Sequence, residues 1–183
     1  MGRKLAVSIG VLGALAIELS VSWKMAHEAG LPLNNGATQH RREIIYLGSD
    51  GVEFQRASNS CGIAALSMVL RHFGVDDKTV ELNRNIFKSP SGTSLATLQR
   101  ICRRLGLEAE GWNIAATDLH DANFPVILYL NDRHFVVTDS LDREENVFVR
   151  DPAVGRLKIP MEQLTQRWNG EALVFGNHKP TRR

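Results

Sequence analysis

The chain changes character near Gly106, and this limits its fold more than any other feature. Before that point apolar residues recur at helical spacing; after it they come in short β-rich runs separated by turn residues. Residues 64–73 (AALSMVLRHF) are apolar on more than one face and are closed by Gly74, which predicts a central, largely buried helix. Asp76 or Asp77 can cap a second helix running to about Phe87. Leu95, Leu98, Ile101, Cys102 and Leu105 form one stripe ending at Gly106, the pattern of a third, amphipathic helix. Beyond it, Leu107–Trp112, Val126–Leu130, Phe135–Asp139, Val147–Arg150 and Arg156–Ile159 read as strands, with hairpin turns at Asn131-Asp132-Arg133 and at 142–146. A short helix from Pro160 to Trp168 and a strand from Ala172 to Phe175 follow. A short strand and turn within Glu43–Phe54 precede the first helix. Helices followed by an antiparallel meander predict an α+β domain.

The N-terminus stands apart from that domain. Arg3 and Lys4 precede an uncharged apolar run from Leu5 to Ile17, and the apolar character resumes after Glu18 as far as Trp23. Residues 1–23 therefore read as a signal peptide, with small-residue cleavage sites at Ala14-Leu15-Ala16 or Ser20-Val21-Ser22, or as a membrane anchor. Basic residues before the run predict an exported chain, periplasmic or anchored in the inner membrane with its domain on the periplasmic side. Gly30, Pro32, Asn34, Asn35 and Gly36 mark residues 24–43 as a linker. The folded domain is expected over 44–176, with a basic tail at 177–183. Of 183 residues 22 are basic and 20 acidic, a net charge of +2 that offers no basic face for nucleic acid.

Only two cysteines are present, so no disulfide framework accounts for them. Cys102 falls on the apolar stripe of the third helix and is expected in the core. A Cys61–Cys102 disulfide is conceivable in an oxidising compartment. Cys61 lies in Asn59-Ser60-Cys61-Gly62, immediately before the central helix, where Asn59 or Ser60 can cap. At a helix N-terminus unpaired N–H groups and the dipole stabilise a thiolate; the plain alternative is a small buried residue. Gly62 would leave room for a substrate backbone. His134 opens a strand after a hairpin turn, and Asp151 ends the next strand. If those strands pair antiparallel, the carboxylate can orient the imidazole, as a cysteine–histidine pair requires. Gln55 could supply an amide donor to an oxyanion, with the Cys61 N–H as the second. No HExxH or paired-Cys motif is present, His72 and His120 have no companions at ligand spacing, and no GxxxxGK[ST] loop occurs, so neither metal nor cofactor is expected.

The pattern Gln55-x5-Cys61-Gly62-x-Ala64-x-Leu66-x-Met68-x-Leu70-x2-Phe73-Gly74 resembles the nucleophile segment of the double-glycine-leader, or bacteriocin-processing, cysteine peptidases. The resemblance continues through Gly92-Thr93-Ser94-Leu95, Leu105-Gly106-Leu107, His134-Phe135-Val136-Val137 and Asp151-Pro152-x2-Gly155, covering Val52 to Phe175. It implies a papain-like fold with Cys61 as nucleophile, His134 as general base and acid, Asp151 as orienter and Gln55 at the oxyanion hole. It also implies cleavage after a Gly-Gly pair in a leader-bearing or exported protein, with a secretion machinery as partner. Ser60 stands where many members have Asp. The alternative is a catalytically silent module that binds leader-like segments; acyl transfer to an amine is a third use of the same triad.

Overall fold

The computed structural model describes residues 43–86 and 92–176. The expected signal or anchor, the linker up to residue 42, the tail and the end of the second helix at Phe87 lie outside the described residues. Among the described residues no helix is long and apolar enough to cross a membrane.

Strand β1 (Ile45–Gly48) leads into three helices: α1 (Cys61–His72), α2 (Asp77–Ile86) and α3 (Leu95–Arg104). There follow β2 (Ala109–Asn113), a 3-10 helix (Ala116–Asp121), β3 (Val126–Leu130), β4 (His134–Leu141), β5 (Asn146–Asp151), β6 (Gly155–Pro160), helix α4 (Met161–Thr165) and β7 (Trp168–Phe175). The seven strands form one antiparallel sheet in the order β1-β6-β5-β4-β3-β7-β2. The α+β expectation holds, with one topological difference. Strands β3 to β6 are a meander, but β7 returns to pair with β3, and β2 pairs outside it.

Both faces of the sheet are buried, which explains why β3 reads VILYL, a continuous apolar run. On one side Ile127, Phe135, Val137, Leu173 and Phe175 pack with residues of α1 and α3 and with Val80 of α2. On the other, Val126, Leu128, Val136, Ala172 and Val174 pack with Leu119 of the 3-10 helix and with Met161 and Leu164 of α4. Helix α1 is the centre of the first layer: all ten residues from Cys61 to Leu70 are buried, as its apolar all-round pattern requires. Its C-terminal end is fixed by Arg71, which makes 2.7 Å ion pairs with both Glu53 and Asp77.

Several boundaries differ from expectation. Helix α1 begins at Cys61 rather than Ala64. The helix expected over Pro160–Trp168 is only Met161–Thr165, because β7 starts at Trp168 instead of Ala172. Gly170 makes that longer strand possible: at φ +95° it passes so close to Ile114 that a Cβ would lie 2.5 Å from the Ile114 carbonyl oxygen. The 3-10 helix has no periodic apolar signal and was not expected. Two non-glycine residues, Arg133 and Glu145, hold left-handed backbone at φ 63° and 61°, one in each of the hairpin turns that flank β4.

Candidate active site

The start of α1 is set by a tight turn. The Ser60 hydroxyl accepts hydrogen bonds from the Arg56 and Ala57 N–H groups, both at 3.0 Å, and donates to the Ala57 carbonyl at 2.8 Å. Ser60 occupies the N-cap position but its side chain does not cap the helix; the hydroxyl is spent on the preceding loop. The expectation of a side-chain cap from Ser60 is thereby corrected. The first helical bond runs from the Ala64 N–H to the Ser60 carbonyl, 3.0 Å. The N–H groups of Cys61, Gly62 and Ile63 thus lack an acceptor one turn back, and this end of the helix is electropositive.

His134 and Asp151 come together through the β4–β5 pairing. Val137 faces Arg150, so one step further Asp151 falls on the side of the sheet that His134 occupies, as a diagonal neighbour. His134 Nε2 lies 2.7 Å from Asp151 Oδ1. The same oxygen accepts the Ala153 N–H at 2.7 Å, which holds the carboxylate in place. Asp151 is 6% exposed. With Nε2 committed to the carboxylate, the other ring nitrogen is left for the Cys61 side chain, with which His134 interacts electrostatically.

These contacts decide the charges. Burial pushes the Cys61 thiol up, but hydrogen bonds from His134 and the Phe135 N–H, the charge on His134 and the Gly62 N–H outweigh it and hold the thiol below its usual 9.0. Burial pushes His134 down, yet hydrogen bonds to Asp151 and Cys61 and the charges of both raise it to about 9. Both shifts favour a thiolate–imidazolium pair near neutral pH. Cys102 is the contrast: fully buried on α3, it is pushed up to about 12 by burial and stays an inert thiol. Both cysteines are free, so the conceivable Cys61–Cys102 disulfide is not formed.

Gln55 reaches the same region by a different route. Its N–H donates to the Pro152 carbonyl at 2.9 Å, one residue beyond Asp151. Its side-chain oxygen is buried without a hydrogen-bond partner, so that end of the amide is left uncommitted. Gly62 departs from expectation. A Cβ there would lie 3.0 Å from Phe135 Cδ2 and 3.2 Å from Thr93 Cβ. The space beside Gly62 belongs to Phe135 and Thr93, not to a substrate backbone.

A cleft of about 430 Å³ opens onto Cys61, walled by Asn59, Thr93, Tyr129, Arg133 and Phe135. The Tyr129 and Phe135 rings pack against each other, tilted by 40°, at 4.6 Å between centroids. These wall residues were not picked out from the sequence, although the alternation of β3 and β4 carried the signal: Tyr129 and Phe135 face each other in the ladder, on the side of Ile127 and Val137.

Helices packed on a seven-stranded antiparallel sheet, with a buried helix presenting a cysteine to a histidine–aspartate pair, define a papain-like peptidase fold. The peptidase C39 family model matches residues 50–179, and the chain belongs to that family. It is 30% identical over 132 residues to the probable functional amyloid protease FapD of Pseudomonas aeruginosa, spanning 66% of this chain and 57% of FapD. It is 32% identical over 119 residues to the probable microcin-H47 secretion/processing ATP-binding protein MchF of Escherichia coli, 65% of this chain and only 17% of MchF. Among crystal structures, a double glycine motif protease from an AMS/PCAT transporter, in complex with the leader peptide, superposes with a TM-score of 0.60. It is 29% identical, over 79% of this chain and 96% of that one. The peptidase domain of Streptococcus ComA shares the fold at a TM-score of 0.61 and 19% identity, over 69% of this chain and 98% of that one.

Proposed function

We propose that this chain is a cysteine peptidase that hydrolyses a peptide bond after a Gly-Gly or similarly small pair in an exported or leader-bearing protein. The observation that carries this reading is the 2.7 Å His134–Asp151 hydrogen bond set beside Cys61 at the N-terminus of α1. The Cys61 sulfur attacks the scissile carbonyl carbon, and the imidazolium of His134 gives its proton to the departing amine as the C–N bond breaks. The resulting thioester is hydrolysed by water, whose proton passes to His134; the freed acid leaves and the thiolate–imidazolium pair is restored. Asp151 holds the ring orientation and offsets its charge throughout. The Cys61 N–H and the Gln55 amide are the proposed oxyanion donors, and each is worth about 10²–10³ in rate.

Small residues before the scissile bond suit a cleft walled by two packed aromatic rings. The apolar run at residues 5–17 behind Arg3 and Lys4 supports an exported enzyme, and the relatives' names support service to a secretion system. The test incubates the chain, and its Cys61→Ala variant, with fluorogenic peptides carrying Gly-Gly. Cleavage after the pair by the parent chain alone is expected. Peptide retention with no Cys61-dependent product would replace hydrolysis with binding.

A further inference from the structure

The wall of the cleft carries a charge for which the catalytic steps have no use. Arg133 lines the cleft that opens onto Cys61 and immediately precedes His134. Arg56, Arg71, Arg150 and Arg167 each have an acidic partner. Among the described residues no acid pairs with Arg133, and the one carboxylate beside it in the cleft wall, Asp132, is already held by Arg167 at 2.5 Å. The turn holds Arg133 in a backbone conformation unusual for a residue with a side chain. Leu130 and His134 are paired across a three-residue loop whose last member donates its N–H to the Leu130 carbonyl at 3.0 Å. That position takes left-handed backbone, φ 63°, which glycine adopts without strain. A long cationic side chain stands there instead, at the mouth of the site.

We propose that Arg133 is a specificity-determining residue that selects substrates bearing an acidic side chain close to the scissile bond. The inference rests on the peptidase reading for its substrate and on the cleft alone for its charge. Because Arg133 and Cys61 share one cleft of modest size, the acidic group lies within about two or three residues of the cut, at ~3.4 Å per extended residue. The partner must be an anion, since a guanidinium donates hydrogen bonds and accepts none.

Two measurements test this, and the first needs no substrate. Iodoacetate and iodoacetamide both alkylate a thiolate, forming an S–C bond as iodide leaves, and they differ by one negative charge. The ratio of their rates at Cys61, read by mass spectrometry at low salt, is compared between the parent chain, Arg133→Gly and Arg133→Glu. Glycine suits the turn, so that variant separates charge from folding. The ratio is expected to fall up to about five-fold in Arg133→Gly, the upper size of an exposed charge pair, further in Arg133→Glu, and to converge at about 1 M salt, where screening acts within ~3 Å. An unchanged ratio overturns the assignment.

The second compares kcat/KM for Gly-Gly peptides carrying Glu, Gln or Lys beside the cleavage site. Preference for Glu that weakens in Arg133→Gly and reverses toward Lys in Arg133→Glu is expected. Equal rates for all three peptides overturn it. If no peptide is cut by any form, the peptidase reading fails, and the alkylation ratio still decides for or against Arg133.

Discussion

Phe135 occupies the space that a side chain at Gly62 would need: its Cδ2 lies 3.0 Å from where a Cβ would start. This contact joins the first turn of α1 to the strand residue that follows His134. The spacing of Cys61 and His134 is therefore set by packing as well as by polar contacts. Gly62→Ala must push Phe135 and Thr93 outward, and the cost of overpacking is ~1–3 kcal/mol against less than ~1 kcal/mol regained in helix propensity. A lower Tm and slower Cys61 alkylation are expected together. A raised Tm would show that the ring moves freely.

The His134–Asp151 pair gives stability a pH dependence with a definite sign. The folded chain holds a proton on His134 up to about 9, whereas the unfolded chain releases it near 6.5. The folded state binds the proton more tightly, so this contribution is complete below pH 6.5 and is lost as pH rises through about 9. Asp151→Asn removes the charge and keeps a hydrogen-bond acceptor. Denaturant midpoints of parent and variant should differ most near pH 6 and converge toward pH 10; a gap that widens with pH would reverse the assignment.

Cys102 should be silent in chemistry and felt only in packing. It is fully buried, with its thiol pushed up to about 12. Cys102→Ala should cost about 1 kcal/mol for the small void and leave the Cys61 alkylation rate unchanged. Modification of Cys102 in the folded parent, read by mass spectrometry, would contradict this.

Arg150 ties the strand that carries Asp151 to the loop before α1. Its guanidinium makes a bidentate contact with Asp139, with Nη2 at 2.6 Å and Nε at 2.8 Å, and donates to the Gly51 carbonyl at 3.2 Å. Asp139→Ala leaves that guanidinium, whose side chain is 13% exposed, without its carboxylate. The expected cost is ~1–3 kcal/mol, visible as a lower urea midpoint at unchanged slope. A midpoint shift within error would make the clamp energetically neutral.

Much of this arrangement was legible in the chain because its chemistry-bearing residues sit at the ends of elements. Cys61 opens a helix, His134 follows a turn, Asp151 precedes Pro152, and antiparallel pairing brings such ends together. What was not legible depends on distant or backbone geometry. The neighbour that fills the space at Gly62 is Phe135, far along the chain, and no local pattern announces it. Ser60 looked like a cap, but the turn at Ala57–Ser60 draws its hydroxyl backward. The early start of β7 involves Gly170 slipping past Ile114, a long-range fit that a four-residue apolar run could not reveal. The 3-10 helix has too few residues to show a period.

The most direct test of the account is the rate of Cys61 alkylation by iodoacetamide between pH 5 and 9, in the parent chain and in His134→Ala. A thiolate held by His134 and Asp151 should react at lower pH than an ordinary thiol, and that low-pH reactivity should vanish in His134→Ala. A rate that rises only above about pH 8.5, like an ordinary thiol, and that is the same in both proteins would contradict it.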